Sequence, residues 1–283
     1  MSLLQQITSG TSTAGIRMVV AGLEKVGKTT LACGSERPLL VPMEVGFAGV
    51  NVAKTPIAQN YEGIVKLVGE VAAYAQAGQF PYKSLVFDSA TALERLIHNY
   101  VLRLDPASKQ ATIATVTMES CHGGYGKGYT MANTMFEELL ASLDVLAVYF
   151  GINIILTAHV FAASVSDPTA GIYDSWDLLL HSPKNQKTYG KREMITQWAD
   201  VVGFLYEPLS IVTNDKTDSA RGISLNKGRV LGISRAPAYT AGNRFGMSGE
   251  IPIAAPPAIG WNNFADALYQ AKGIDVYARP ETV

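Results

Sequence analysis

Residues 16–30 read Ile16-Arg17-Met18-Val19-Val20-Ala21-Gly22-Leu23-Glu24-Lys25-Val26-Gly27-Lys28-Thr29-Thr30, a short apolar run that flows into G-x-x-x-x-G-K-T. A buried strand at 16–21 followed by glycine lets Gly22 and Gly27 take backbone conformations that other residues resist. The loop from Gly22 through Leu23, Glu24, Lys25, Val26 and Gly27 to Lys28, Thr29 and Thr30 then turns its N–H groups inward. Such a loop cradles phosphate ahead of a helix whose N-terminus favours anions. In this pattern Lys28 reaches the β- and γ-phosphates and the Thr29 hydroxyl ligates Mg²⁺. The segment therefore predicts a nucleotide site.

Outward from that loop, strand patterns recur at 38–43, 84–88, 152–158 and 200–206, with helical patterns at 28–34, 60–78, 90–103 and 131–150. Short, near-continuous apolar strands alternating with helices predict an α/β fold with a mainly parallel central sheet covered on both faces. After 206 the segments 208–213, 221–226 and 229–235 are short and β-leaning, a texture of antiparallel hairpins, and a last helix is expected at about 262–272. The expected organisation is a flexible arm at 1–15, a nucleotide-binding domain at 16–250 with a β-hairpin extension at its end, and a helical tail at 251–283. Two long connections, 105–130 and 160–193, interrupt the alternation, and connections of that length in a compact domain are usually functional or disordered.

The bulk composition excludes several classes. The 283 residues carry a formal net charge of −1, with 48% hydrophobic and 17% charged residues, so a sizeable core is expected and the global field does not recruit nucleic acid. Cys33 and Cys121 are too few for a disulfide framework and suit a reducing cytoplasm. No basic and apolar leader is evident in Met1–Gly10, and Asp144, Asn153 and His159 interrupt the apolar stretch 139–163, so no membrane association is expected. The four histidines and two cysteines lack metal-ligand spacing, and there is no G-x-S-x-G elbow.

Leu85-Val86-Phe87-Asp88 is an apolar strand ending in a carboxylate, as a Mg²⁺-orienting acid requires, and Asp88-Ser89 also suits a helix cap. Together with Gly22–Thr30, Glu44 after the second strand and the run Val86-Phe87-Asp88-Ser89-Ala90-Thr91-Ala92-Leu93, it makes the chain resemble RecA-like P-loop ATPases. Gly124-Tyr125-Gly126-Lys127-Gly128-Tyr129, Trp198-Ala199-Asp200 and Gly242-Asn243-Arg244-Phe245-Gly246 are similar to the phage-encoded AAA-type branch associated with single-strand annealing and recombination. The resemblance spans roughly 16–250. It implies ATP and Mg²⁺ as cofactors, Lys28, Glu44 and a trans-acting Arg244 as catalytic residues, and Thr29 and Asp88 as metal ligands. Glu44 would polarise the attacking water, though an ordinary loop acid is the plainer alternative. Thr157 and His159 end the fourth strand, where the resemblance implies a polar γ-phosphate sensor, and His159 would fill that role unless it is a structural histidine.

Residues 219–249 contain basic residues but no Asp or Glu, which suits a cation offered to a neighbouring subunit, with Arg235 second to Arg244. The family often has Lys where this chain has Gly242, so a two-cation clamp is in doubt. Lys184, Lys187, Lys191 and Arg192 interleave with Tyr189, and Tyr125, Lys127 and Tyr129 repeat that chemistry in the other connection. Cations there would neutralise backbone phosphates while rings stack on unpaired bases. The resulting expectation is an oligomeric, Mg-ATP-dependent ATPase acting on single-stranded DNA, with a single-strand-binding protein as a possible partner. A helicase-like motor, a small-molecule kinase and a nucleotide-gated scaffold are the competing readings.

Overall fold

The computed structural model describes residues 14–106, 116–183, 189–214, 219–224, 228–253 and 257–278. Five parallel strands form its centre: β1 (Arg17–Ala21), β2 (Pro38–Pro42), β4 (Ser84–Asp88), β5 (Asn153–Ala158) and β8 (Val201–Tyr206). A two-residue strand, β3 (Ala53–Lys54), lengthens one edge, and β11 (Arg229–Gly232) and β13 (Glu250–Ile253) add antiparallel to the other. The order across the sheet is β13-β11-β8-β1-β5-β4-β2-β3, with the short β12 (Gly242–Asn243) also pairing β8. β1 is thus central, and the strand carrying the glycine loop has a parallel neighbour on each side.

Both faces of the sheet are covered, which is why the strands read as unbroken apolar runs. Val19, Val41, Phe87 and Leu156 face one core with α2 (Tyr61–Gln76), α3 (Ala90–Leu104), α4 (Lys127–Phe150) and α5 (Lys191–Trp198). Met18, Val20, Leu40 and Ile155 face the other, closed by α1 (Lys28–Ala32) and α6 (Pro257–Lys272). The alternation of partners along each strand is the period-two geometry of a pleated sheet. Asn60 caps α2 through the Gly63 N–H at 2.8 Å, and Ser89 caps α3 through the Ala92 N–H at 3.2 Å.

Three differences from the sequence reading have physical causes. Helix α4 begins at Lys127 and not near 131, because Gly128 packs directly on the Cys121 sulfur, where a Cβ would lie 2.3 Å away. Helix propensity counts against that glycine, and close packing overrides it. The 160–193 connection contains a hairpin, β6 (Val160–Asp167) with β7 (Gly171–Leu178), paired along its whole length. Its signal was present in the turn at 167–171, where Asp167 accepts the Thr169 and Ala170 N–H groups. The boundary placed at 250/251 falls at the first residue of β13, and α6 is part of the second core, with Trp261 and Phe264 fully buried. Strands β9 (Leu209–Asn214) and β10 (Ser219–Ser224) form the expected separate hairpin.

Candidate active site

All the parallel strands point their carboxyl ends the same way, and the glycine loop leaves β1 there. Open α/β sheets bind ligands outside such strand ends, where chain connections diverge. Gly22 passes so close to β8 that a Cβ would sit 2.4 Å from the Leu205 carbonyl oxygen. Gly27, with φ +100°, turns the chain into α1 in a region that favours glycine. Lys28 is buried and donates from Nζ to the Gly22 and Leu23 carbonyl oxygens at 2.9 and 2.7 Å. Burial lowers its pKa, against the raising fields of Glu24, Asp88 and Glu44. A buried ammonium satisfied only by its own loop is an anion receptor held closed.

Across from the loop, the Thr29 hydroxyl donates to Asp88 Oδ2 at 2.9 Å. Asp88, at the end of β4, accepts a short hydrogen bond from Thr157 of β5 on its other oxygen. Two hydroxyls around one carboxylate offer the hard oxygen donors that Mg²⁺ prefers, so these residues fit a metal–triphosphate pair.

Glu44 follows β2 and completes the group. It accepts from Ser89 Oγ at 2.8 Å, lies 3.1 Å from His159 Nε2 and pairs with Arg95 at 3.1 Å. The hydrogen bond to His159 chiefly drives its pKa down to about 2, with Ser89 and the charges of His159 and Arg95 assisting against burial. His159 Nδ1 stands 3.6 Å from Glu24 of the glycine loop without hydrogen-bonding to it, so among the described residues the imidazole is bonded to Glu44 alone. The His159 N–H itself donates to Thr91 Oγ1 at 3.2 Å. Arg95 and Thr91 on α3 belong to this cluster and were not among the expected site residues, whereas Thr157 of β5, at the expected sensor position, joins it through Asp88. Thr91 and Arg95 are four residues apart and so share a helix face, the one signal that could have found them.

Arg244 lies elsewhere. Its backbone N–H and guanidinium bond Asp200, which also grips Arg17 at the first residue of β1. That is the amino end of the strand whose carboxyl end carries the loop, about 13 Å away along the chain. Arg244 is therefore outside its own chain's nucleotide site, and Arg235 is exposed on the adjoining turn.

The basic connection is dispersed by folding. Lys184 and Lys187 lie outside the described residues. Lys191 is fully buried at the start of α5, bonded to Asn133 at 3.0 Å and to His98 at 3.2 Å, and 3.5 Å from Glu94. Burial lowers its pKa and raises that of Glu94, while burial and the Lys191 charge press His98 down to about 3. Arg192 is held by Asp177 of β7 at 2.6 Å. The expected nucleic-acid role of Lys191 and Arg192 is corrected on this ground: both cations are neutralised inside the chain. What remains open is a cleft of about 1100 Å³ in which Tyr125 and Tyr189 are 96% and 62% exposed. Tyr129, instead of offering a free face, stacks on His181 with centroids 3.8 Å apart. Lys127 is exposed nearby, and Glu119 and Glu137 line the same cleft.

Asp105, Cys121 and His122 cluster behind this cleft, the one group of possible metal ligands among the described residues. No helix among the described residues is long and apolar enough to cross a membrane. Residues 14–245 match a family model described as an AAA domain. No curated protein matches the chain.

Proposed function

The chain belongs to the AAA-domain family of P-loop nucleotide-binding proteins, and from that membership and the cluster at the strand ends we propose that it is a Mg-ATP-dependent ATPase. In this reading it works as an oligomer on single-stranded DNA, promoting annealing or exchange. The observation that carries the ATPase reading is Glu44 kept ionised beside the paired Thr29 and Asp88.

Mg-ATP, when bound, supplies an electrophilic phosphorus whose charge the metal helps neutralise. Thr29 and Asp88 would hold the ion, with Thr157 fixing the carboxylate. Lys28 would exchange the Gly22 and Leu23 carbonyls for phosphate oxygens. Glu44, aimed by Ser89, His159 and Arg95, would orient the attacking water and accept its proton. His159 would report loss of the terminal phosphate to Thr91 and α3. Arg244 would act only on the nucleotide of a second copy, which is why an oligomer is proposed.

The DNA reading rests on the two exposed tyrosines of the cleft, since aromatic faces stack on unpaired bases of any sequence. With Lys191 and Arg192 paired inside the chain, base stacking carries more of that contact than those two cations do. A phage origin, a host-cytoplasm location and a single-strand-binding partner belong to the same proposal and follow from the resemblance.

Glu44→Gln tests it. Phosphate release should fall by about 10²–10⁴-fold, the usual contribution of a general base, with ATP affinity within a few-fold of wild type. Unchanged turnover would remove Glu44 from the chemistry. Unchanged nucleotide-dependent DNA assembly in the inactive variant would favour the scaffold reading. Fluorescence anisotropy with a labelled oligonucleotide and a non-hydrolysable ATP analogue checks the DNA limb. No binding there would end it.

A further inference from the structure

Arg229 opens β11, which pairs β8 so that Val230 faces Tyr206, and β8 in turn flanks β1. Its side chain crosses to the glycine loop, where Nη1 donates to the Val26 carbonyl oxygen at 3.0 Å. The guanidinium rests on Gly27 itself, where a Cβ would lie 2.0 Å from Nη1. Glycine at 27 suits the positive φ, and the guanidinium tip takes the space that a Cβ would occupy.

Among the described residues, no carboxylate lies within ion-pair distance of Arg229. Several other arginines are paired. Arg17 is paired with Asp144 and Asp200, Arg192 with Asp177, Arg244 with Asp200 and Arg95 with Glu44. Arg229 is partly buried against the rim of a loop built to receive anions. A guanidinium carries five N–H donors, and Val26 uses one of them. A planar donor fork of fixed charge, against a phosphate-cradling loop, matches phosphate oxygens better than any other ligand class.

We propose that Arg229 is a second cation of the chain's own nucleotide site, fixing the loop crest through Val26 and lending its charge to the polyphosphate of a nucleoside di- or triphosphate. This rests on the assignment of Gly22–Thr30 as a nucleotide cradle. It differs from the role of Arg244 in being supplied within one chain, so it operates in a monomer.

Calorimetric titration of the full chain with Mg-ATP and Mg-ADP tests this. R229Q should weaken both about tenfold or more, and R229K, which keeps the charge but loses the planar fork, should fall between R229Q and wild type. Melting of R229Q without nucleotide should stay within a few degrees of wild type. R229Q binding within twofold of wild type overturns the proposal. A wild-type chain that binds neither nucleotide refutes the cradle itself, a separate failure that K28A calibrates. Modification of the wild-type protein with phenylglyoxal, read by peptide mass mapping, needs no variant. ATP should protect Arg229 at least threefold, and equal labelling with and without ATP also overturns the proposal.

Discussion

The glycine loop and the basic connection looked equally functional as strings of residues, yet folding treated them in opposite ways. Gly22–Thr30 kept its cationic side chain at a ligand-facing position, with its ammonium bonded only to loop carbonyls. The 184–192 run lost Lys191 to a buried pair with Glu94 and Arg192 to Asp177. The difference is that the first pattern encodes a backbone path, through glycines at fixed spacing, whereas the second encodes only charge. Charge is free to find a partner anywhere in the fold. A phosphate cradle is not, because its donors are the backbone itself.

The contrast can be broken most sharply at Lys191. Lys191→Met should leave Glu94 buried without its cation and cost about 3–5 kcal/mol of stability. Urea unfolding measures it. A stable variant that instead lost DNA affinity would return Lys191 to the nucleic-acid surface. Lys28→Ala probes the other region: ATP affinity should fall by about a hundredfold or more, since a charge-assisted contact to phosphate is lost, while the melting temperature of the nucleotide-free protein changes little. Retained affinity, read by calorimetry, would undo the cradle assignment.

Smaller effects refine the picture. Tyr125→Ala and Tyr189→Ala should each weaken oligonucleotide binding by about 1 kcal/mol or more, the lower end for base–aromatic stacking, without a change in stability. Binding indifferent to both substitutions would leave the cleft without a proposed ligand. The last concerns pH. Because His159 and Ser89 hold the Glu44 carboxyl at about 2, below the ordinary value of 4.5, its ionised form stabilises the fold. That contribution is complete above about pH 5 and disappears as pH falls through 2. The stability difference between wild type and Glu44→Gln should be about 1 kcal/mol near neutrality, reduced by partial exposure, and should vanish near pH 2. A difference that grew on acidification would reverse the sign of the argument.

The parallel sheet was legible because its strands are buried on both faces, and continuous apolar runs such as Leu85–Phe87 leave little alternative. Glu44 and Asp88 stood out because each lies at the end of such a run, and the fold brings both to the cradle end. The rest required the third dimension. Thr91 and Arg95 are ordinary residues until α3 delivers them to His159 and Glu44. The hairpin at 160–178 was concealed because neither strand alternates cleanly: Val160–Ala163 is an unbroken apolar run, and Asp174 and Asp177 interrupt the large residues of the second strand. Arg229 was visible only as one cation in an acid-free stretch, and nothing in its neighbours foretold a contact with Gly27, two hundred residues earlier.

Helix α6 gives the fold an unexpected dependence on its far end. The five-residue helix that starts at Lys28 is too short to stand alone and leans on α6, whose Trp261 indole donates to the Val276 carbonyl oxygen at 2.6 Å. The nucleotide loop is therefore propped from behind by residues more than two hundred positions downstream. Trimming the chain after β13 would uncover the greasy underside of the central strands and let the cradle sag, so even a tidy truncation there would sacrifice ligand binding along with solubility.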